Sequence, residues 1–329
     1  MTADGPVDWV ECILRRREPG ATEAAVWADI FSVLKTIAEK NASPVVLHDA
    51  TVTPDSLLAE AAWELWGAYP DQAPKTSEAL KRWTNGSAGP GAGKAVLIVD
   101  SLSLREMPYL LGAARARGIV PALTTVTGAE CPSTTSRFAA ELGLPSRAAL
   151  ANDGKPGGFA LFNGHCRTDV VNIPFEDCPV PPEPNLVVWH TWLDDLLHAR
   201  KKAPDAVNKA VSSVFQGDGF WRFVNALRQG RNLVVTSDHG YADGKRFSSE
   251  VSHPEDAALL REIFGASRHV AASGSLVGKF MPPLFLEHGG QRVVMGQWKW
   301  KVQGGFPQVC HGGLSLLETA VPWIEFTAI

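Results

Sequence analysis

One stretch constrains the fold of this chain more than any other, Asn232-Leu-Val-Val-Thr-Ser-Asp-His-Gly-Tyr241. The apolar and β-branched residues 233–236 are typical of a short buried strand. They lead directly into Ser237-Asp-His-Gly240, where a carboxylate and an imidazole precede a glycine that permits a sharp turn. Such side chains at the carboxyl end of a strand can hold a metal ion at the edge of an α/β sheet. Because Asp-His also occurs in capping turns, further ligands elsewhere must support this interpretation.

Composition sets the broad class of the protein. The 329 residues suffice for one large α/β domain or two smaller ones, and 45% hydrophobic with 20% charged residues is ordinary for a globular protein. A net charge of −4 argues against non-specific nucleic-acid binding by the whole surface, but not against a local basic groove. The five scattered cysteines predict reduced thiols. The first 20 residues contain neither a secretory signal nor a membrane span, which predicts a cytoplasmic protein.

The first quarter of the chain is predicted to be mainly helical. Apolar residues at helical spacing predict helices over residues 22–40, 56–68 and 77–83. A short apolar run predicts a strand at 44–47, and the glycine-rich residues 85–93 have the composition of a linker. We therefore expect residues 1–90 to form a helical N-terminal region, separate from a second domain at 91–329.

Strands and helices alternate after this linker. Strands are predicted at residues 95–99, 119–126, 186–189 and 233–236, with helices at 105–117, 137–142, 191–200 and 220–229. Residues 292–295 and 299–302 are predicted to form a terminal hairpin. The alternation predicts an α/β fold with a mainly parallel sheet sandwiched by helices.

Metal-ligand side chains follow three of the predicted strands. They are Asp100, Asp194 with His198, and Asp238 with His239. His311, before two glycines in the final segment, supplies another imidazole. Asp194 and His198 are four positions apart, so a helix places both on one face. Taken alone, Asp100 is equally consistent with a helix cap, and the Asp194–His198 pair with a solvated helix surface. Together the three carboxylates and three imidazoles approach the number of ligands that two adjacent metal ions need.

The order of these motifs resembles the alkaline-phosphatase superfamily. The motifs are Asp100, Pro132-Ser-Thr-Thr135, Asp194-x-x-x-His198, Ser237-Asp-His-Gly240 and His311-Gly-Gly-Leu-Ser-Leu-Leu-Glu-Thr-Ala-Val-Pro322. Within that superfamily the chain is most similar to the PglZ domains known from bacterial phage-exclusion (BREX) systems. The resemblance covers about residues 94–325 and implies an alkaline-phosphatase-like fold.

The resemblance also implies roles for individual residues. It implies one metal ion on Asp100, Thr135, Asp238 and His239, and a second on Asp194, His198 and His311. Thr135 would be a transiently phosphorylated nucleophile, because it is the third residue after Pro132, as in the Pro-Thr-x-Thr motif of nucleotide pyrophosphatase/phosphodiesterase relatives. A neutral hydroxyl is a weak nucleophile unless a cation stabilises its alkoxide. Mixed nitrogen and oxygen ligands favour zinc, with manganese as the alternative. The other hydroxyl groups of residues 133–136, and that of Ser101, stay open as nucleophiles.

The expected function is a metal-dependent phosphodiesterase or phosphohydrolase acting on nucleotide or nucleic-acid phosphates, with a role in bacterial phage defence. A phosphomonoesterase or phosphomutase is the alternative within the superfamily. A different class of function is a scaffold subunit of a defence complex that has weak catalysis or none. The expected partners are the phosphate substrate and other phage-defence proteins, with no membrane.

Overall fold

A six-stranded β-sheet with packed helices and turns on both faces forms the centre of the computed structural model. The structure describes residues 9–15, 18–40, 43–87, 92–199, 204–276 and 278–329. Its helices are α1 (Trp9–Leu14), α2 (Glu23–Lys40), α3 (Pro44–Glu60), α4 (Trp63–Gln72), α5 (Thr76–Asn85), α6 (Met107–Ala116), α7 (Thr135–Glu141), α8 (Trp192–Ala199), α9 (Pro204–Gln216), α10 (Asp218–Arg228), α11 (Pro254–Phe264) and α12 (Leu316–Thr319). Among these described helices, none has the length and apolar character needed to cross a membrane.

The strands fall into one large sheet and three small ones. They are β1 (Gly93–Val99), β2 (Leu123–Gly128), β3 (Arg167–Val171), β4 (Asn185–His190), β5 (Arg231–Thr236), β6 (Ala242–Asp243), β7 (Ser249–Glu250), β8 (His269–Ala271), β9 (Phe285–His288), β10 (Gln291–Val294), β11 (Trp298–Lys299), β12 (Val309–Cys310) and β13 (Ala320–Phe326). The large sheet has the order β2-β13-β5-β1-β4-β3. Strand β1 pairs in parallel with β4 and β5, and β3 in parallel with β4, whereas β13 runs antiparallel to β2 and β5. The predicted α/β fold with a mainly parallel sheet is confirmed.

Strand β1 is apolar throughout because both of its faces are covered. Ala95, Leu97 and Val99 belong to one hydrophobic cluster, and Val96 and Ile98 belong to another on the opposite face. Two-sided burial replaces the alternating pattern of a half-exposed strand with a continuous hydrophobic run. This strand therefore lies in the middle of the sheet. It is followed directly by Asp100, which is also buried.

Two local predictions are wrong. Residues 44–47 start helix α3 instead of forming a strand, because the Ser43 hydroxyl accepts a hydrogen bond from the Val45 N–H and Pro44 occupies the first helical turn. The predicted terminal hairpin does not form either. Strand β10 pairs with β8 and β9, whereas β11 pairs in parallel with β7. The pairing of β10 and β11 is determined by tertiary contacts, which local periodicity does not specify.

The N-terminal helices share a hydrophobic core with the sheet. The fully buried Trp27 of α2 packs on Trp66 and Tyr69 of α4, with ring centroids 4.8 Å and 4.9 Å apart. These side chains belong to the same cluster as Leu97 of β1. The predicted boundary at residue 90 lies in 88–91, outside the described residues. The division of the chain into residues 1–90 and 91–329 stays a prediction.

Helices α4 and α5 and the segment between them hold the loop that follows β2. The Tyr69 hydroxyl donates to the Ala129 carbonyl at 2.7 Å, and the Gly128 N–H donates to the Pro74 carbonyl at 2.8 Å. The Ser77 hydroxyl donates to the Glu130 carboxylate at 2.6 Å. This loop continues into Pro132-Ser-Thr-Thr135, so the helical region helps to place the predicted nucleophile.

Replacing Trp27 with alanine tests whether the helices and the sheet unfold together. Because Trp27 is fully buried in the shared core, Trp27→Ala should lower the free energy of unfolding by about 3–5 kcal/mol in a single transition. Chemical denaturation followed by circular dichroism measures this, with Val46→Ala on the exposed side of α3 as the control. A second transition, unshifted by Trp27→Ala, would show that residues 1–90 form a separate unit.

Candidate active site

The candidate site lies at the carboxyl edge of the parallel strands. Asp100 follows β1, Asp238 and His239 follow β5, and Asp194 lies in the first turn of α8, directly after β4. Neighbouring parallel strands end at the same edge of a sheet, so these side chains converge in space although they are far apart in sequence. The structure brings the predicted residues together in the same two groups that the sequence suggested.

The first group consists of Asp100, Asp238, His239 and Thr135. Ligand atoms of the two aspartates and the histidine lie within 4.8 Å of one another, and all three side chains are buried. The Thr135 hydroxyl donates to Asp238 Oδ2 at 2.7 Å and lies 3.2 Å from His239 Nε2 and 3.4 Å from Asp100 Oδ1. Thr135 is half-buried at the start of α7.

Electrostatics in the first group favour a bound cation. Burial raises the pKa of Asp100 to about 8, and repulsion from the Asp238 carboxylate acts in the same direction. Burial opposes protonation of His239, but the Asp238 and Asp100 carboxylates outweigh it and raise the pKa of His239. Two carboxylates buried side by side are costly unless positive charge compensates them. The Arg147 guanidinium, which contacts Asp100, supplies part of that charge, and a divalent cation would supply more.

Hydrogen bonds outside the first group orient its ligands. His239 Nδ1 is 2.9 Å from the Gly240 carbonyl, so the ring donates there and presents Nε2 to the aspartates. Trp189 Nε1 donates to Asp100 Oδ2 at 2.9 Å. Gly240 is required by close approach, because a Cβ atom at this position would lie 2.3 Å from the Leu317 carbonyl.

The second group consists of Asp194, His198 and His311, whose ligand atoms also lie within 4.8 Å of one another. The helical spacing worked as predicted, since His198 Nε2 lies 3.4 Å from Asp194 Oδ1 on one face of α8. The His198 side chain is 50% exposed, against 14% for Asp194. The second group is therefore open to solvent, whereas the two aspartates and the histidine of the first group are buried. Asp194, His198 and His311 line a cavity of about 410 Å³.

The structure separates Thr135 from the other candidate hydroxyl groups. Ser133 is buried, where its hydroxyl donates to the Gly313 carbonyl at 2.8 Å and accepts from the Gly312 N–H at 3.0 Å. Thr134 caps α7, accepting from the Arg137 N–H. The Ser136 hydroxyl pairs with that of Thr134, and the Ser101 hydroxyl donates to Asp194 at 2.9 Å. Among these five, the Thr135 hydroxyl is the one that contacts the first group.

Arg147 is a site residue that sequence reasoning missed. Its Nη1 atom contacts Asp100 Oδ2 and lies 4.0 Å from Asp194 Oδ2, so the guanidinium lies between the two groups. Arg147 starts a 3₁₀ segment, Arg147–Asp153, that no motif in the sequence connects to the strands. Only the tertiary fold brings it to the sheet edge.

The loop that carries His311 is held by a buried ion pair that the sequence analysis also missed. Arg268 Nη2 donates to Glu318 Oε2 at 2.8 Å, and Glu318 Oε1 accepts from the Gly313 N–H at 2.9 Å. Ser315 and Glu318 form a capping box at α12. The Ser-x-x-Glu spacing was a signal that could have identified this turn.

The donor set of each group fits a divalent metal ion. The first group offers carboxylate oxygens, an oriented imidazole nitrogen and a hydroxyl, and the second offers one carboxylate and two imidazoles. Mixed nitrogen and oxygen donors of this kind suit zinc or manganese. The role of these residues as metal ligands stays a prediction.

Comparison with known proteins gives partial structural likenesses. No protein-family model matches the chain, and the search of curated proteins gave no significant match. Murine ectonucleotide pyrophosphatase/phosphodiesterase 5 is similar with a TM-score of 0.43 and 14% identity, over 71% of this chain and 88% of that one. Phosphonoacetate hydrolase from Sinorhizobium meliloti is similar with a TM-score of 0.43 and 15% identity, over 73% and 91%. A likeness this distant carries no assignment of family or activity.

The first prediction for the site concerns metal binding. Asp238→Asn removes an anionic ligand at nearly constant volume and should lower bound zinc or manganese by about one equivalent per chain. Elemental analysis after dialysis against each metal measures this loss. The matched control is Asp243→Asn, because Asp243 caps the turn at Gly244–Arg246 and belongs to neither group. Unchanged metal content in Asp238→Asn would contradict a metal site in the first group.

Proposed function

We propose that this chain is a metal-dependent phosphohydrolase of the alkaline-phosphatase superfamily, with Thr135 as its nucleophile. One observation carries the proposal, namely that the Thr135 hydroxyl lies 2.7 Å from Asp238 Oδ2 and 3.2 Å from His239 Nε2, on a residue that is only half-buried. A side-chain hydroxyl held against two carboxylates and an imidazole has the neighbours that an activated oxygen nucleophile requires. The motif order of the sequence independently supports the superfamily.

The proposed reaction has two displacements at phosphorus. In the first, a bond forms between Thr135 Oγ1 and phosphorus while the bond to the ester oxygen breaks, and the departing alcohol takes up a proton. In the second, a water oxygen bonds to phosphorus while the bond to Thr135 breaks, which releases phosphate or a phosphomonoester. Thr135 must lose its proton in the first step, and Asp238 Oδ2, which accepts the hydrogen bond of that hydroxyl at 2.7 Å, is the acceptor within reach. In the second step Thr135 Oγ1 takes up a proton again as the attacking water loses one.

Bound metal would supply charge that stabilises the deprotonated hydroxyl and the transferring phosphoryl group. Asp100, Asp238, His239 and Thr135 would hold one ion, and Asp194, His198 and His311 would hold the other. Zinc is the proposed metal, with manganese as the alternative. Arg147 adds a fixed positive charge between the two groups, where a guanidinium can hydrogen-bond to non-bridging phosphate oxygens.

The substrate proposed is a phosphodiester of a nucleotide or nucleic acid. The motif resemblance to PglZ domains and to nucleotide pyrophosphatase/phosphodiesterase relatives supports this choice. The same resemblance is the sole support for a role in bacterial phage defence with partner defence proteins. A phosphomonoesterase or phosphomutase would use the same residues. A scaffold subunit would retain the fold without turnover.

Turnover of bis(p-nitrophenyl) phosphate with added zinc or manganese tests the nucleophile. Thr135→Ala removes the attacking oxygen and should reduce turnover by about three orders of magnitude or more. Thr135→Ser restores a hydroxyl at the same position and should recover measurable turnover. Thr134→Ala is the matched control, because Thr134 is the adjacent residue and its hydroxyl serves as a helix cap.

Three results would contradict parts of this proposal. Near-wild-type turnover in Thr135→Ala would exclude Thr135 as the nucleophile. Turnover of p-nitrophenyl phosphate but not of the diester would favour the phosphomonoesterase alternative. A wild-type protein that binds metal and hydrolyses neither substrate would favour the scaffold function.

A further inference from the structure

Ser101 has a backbone conformation that is unusual for a residue with a side chain. Its φ angle is +64°, in the left-handed region, and the residue is fully buried directly after Asp100. A Cβ atom disfavours this region, so glycine would normally occupy such a position. Strained backbone of this kind persists where the surrounding structure enforces it, and it concentrates at functional sites.

Ser101 is bonded to both groups of the candidate site at once. Its backbone N–H donates to Asp238 Oδ1 at 3.1 Å, and its hydroxyl donates to Asp194 Oδ1 at 2.9 Å. The left-handed turn aims the N–H at one carboxylate and the side chain at the other. Glycine would satisfy the backbone and still bond to Asp238, but it would leave Asp194 without this donor.

The orientation of the Asp194 carboxylate depends on the Ser101 donor more than that of Asp238 does. Asp238 is fully buried and also accepts from Thr135 and Ser237. Asp194 is partly exposed, and its Oδ1 atom lies 3.4 Å from His198 Nε2 on the same exposed helix face. A hydrogen bond from a buried, conformationally fixed hydroxyl restricts the Asp194 carboxylate to one orientation.

We propose that Ser101 is a positioning residue. It fixes the orientation of the Asp194 carboxylate relative to the first group and so sets the geometry of the second metal site. This inference rests on the proposed two-metal function. Donors that orient a metal-ligating carboxylate commonly change metal affinity by about 10–100-fold when they are removed. Ser101 is therefore no nucleophile, because its buried hydroxyl is committed to Asp194.

The test separates backbone strain from the hydroxyl group. Ser101→Gly relieves the strain, keeps the N–H bond to Asp238 and removes the hydroxyl. It should leave the melting temperature of the chelator-treated protein unchanged or higher, keep the first equivalent of zinc, and weaken the second by about 10–100-fold. Ser101→Ala should show the same loss of zinc affinity with a lower melting temperature than Ser101→Gly. Competition with a chromophoric zinc chelator measures both binding steps.

A double-mutant cycle shows whether Ser101 acts through Asp194. Asp194→Asn alone should weaken the second zinc equivalent, and adding Ser101→Gly to it should cause little further change, because the two residues form one interaction. Additive effects would overturn the inference. So would tight binding of both zinc equivalents by Ser101→Gly, or equal weakening of both.

These outcomes differ from failure of the proposed function. If wild-type protein binds fewer than two equivalents of zinc or manganese, the two-metal proposal is overturned, and the role of Ser101 with it. If wild-type protein binds two and Ser101→Gly binds them equally well, only the role of Ser101 is overturned.

Discussion

The close approach of two buried carboxylates, Asp100 and Asp238, is the constraint on which the candidate site depends. Each is fully excluded from solvent, and their mutual repulsion is the kind of cost that a folded protein accepts only with compensation. Their neighbours include hydrogen-bond donors and a guanidinium, together with the carboxylate of Asp194. Trp189 and Arg147 donate to Asp100, and the Ser101 N–H donates to Asp238. The site is therefore arranged to concentrate negative charge where a cation can neutralise it.

The features of the candidate site that could be predicted from sequence are those that depend on residues close together in the chain. The run after residue 232 marks a buried strand with ligands at its end, and the i, i+4 spacing of Asp194 and His198 marks one helix face. Both patterns describe neighbours in the chain, and the structure reproduces both. The family resemblance implied Thr135 among several hydroxyl groups, and the structure places its hydroxyl 2.7 Å from Asp238 Oδ2. Its role as a nucleophile stays a prediction.

The residues that sequence could not predict act across long separations. Arg147 reaches Asp100 from a 3₁₀ segment without a motif, and Arg268 binds Glu318 from 50 positions away. Strand β13 enters the sheet antiparallel between β2 and β5, an arrangement set by pairing and not by its own apolar run. Residues 44–47 illustrate the opposite error, because an apolar run suggested a strand where capping by Ser43 starts a helix. Local patterns fix which residues are buried, but not which elements they meet.

The two glycines after His311 show how such long-range contacts produce precision at the site. Gly312 adopts a φ angle of +92° with the His269 ring against it, and a Cβ atom on Gly313 would lie 2.6 Å from the Arg268 guanidinium. The two glycines are thus packed closely against these side chains. The Gly312 N–H donates to the Ser133 hydroxyl, and the Gly313 N–H donates to the Glu318 carboxylate. The His311 ring consequently stacks on His239 with a centroid distance of 4.8 Å. Ser133 joins this loop to the segment that carries Thr135, so Thr135 and His311 are held by one connected set of hydrogen bonds. Two groups that are separate in sequence are thereby held as a single site.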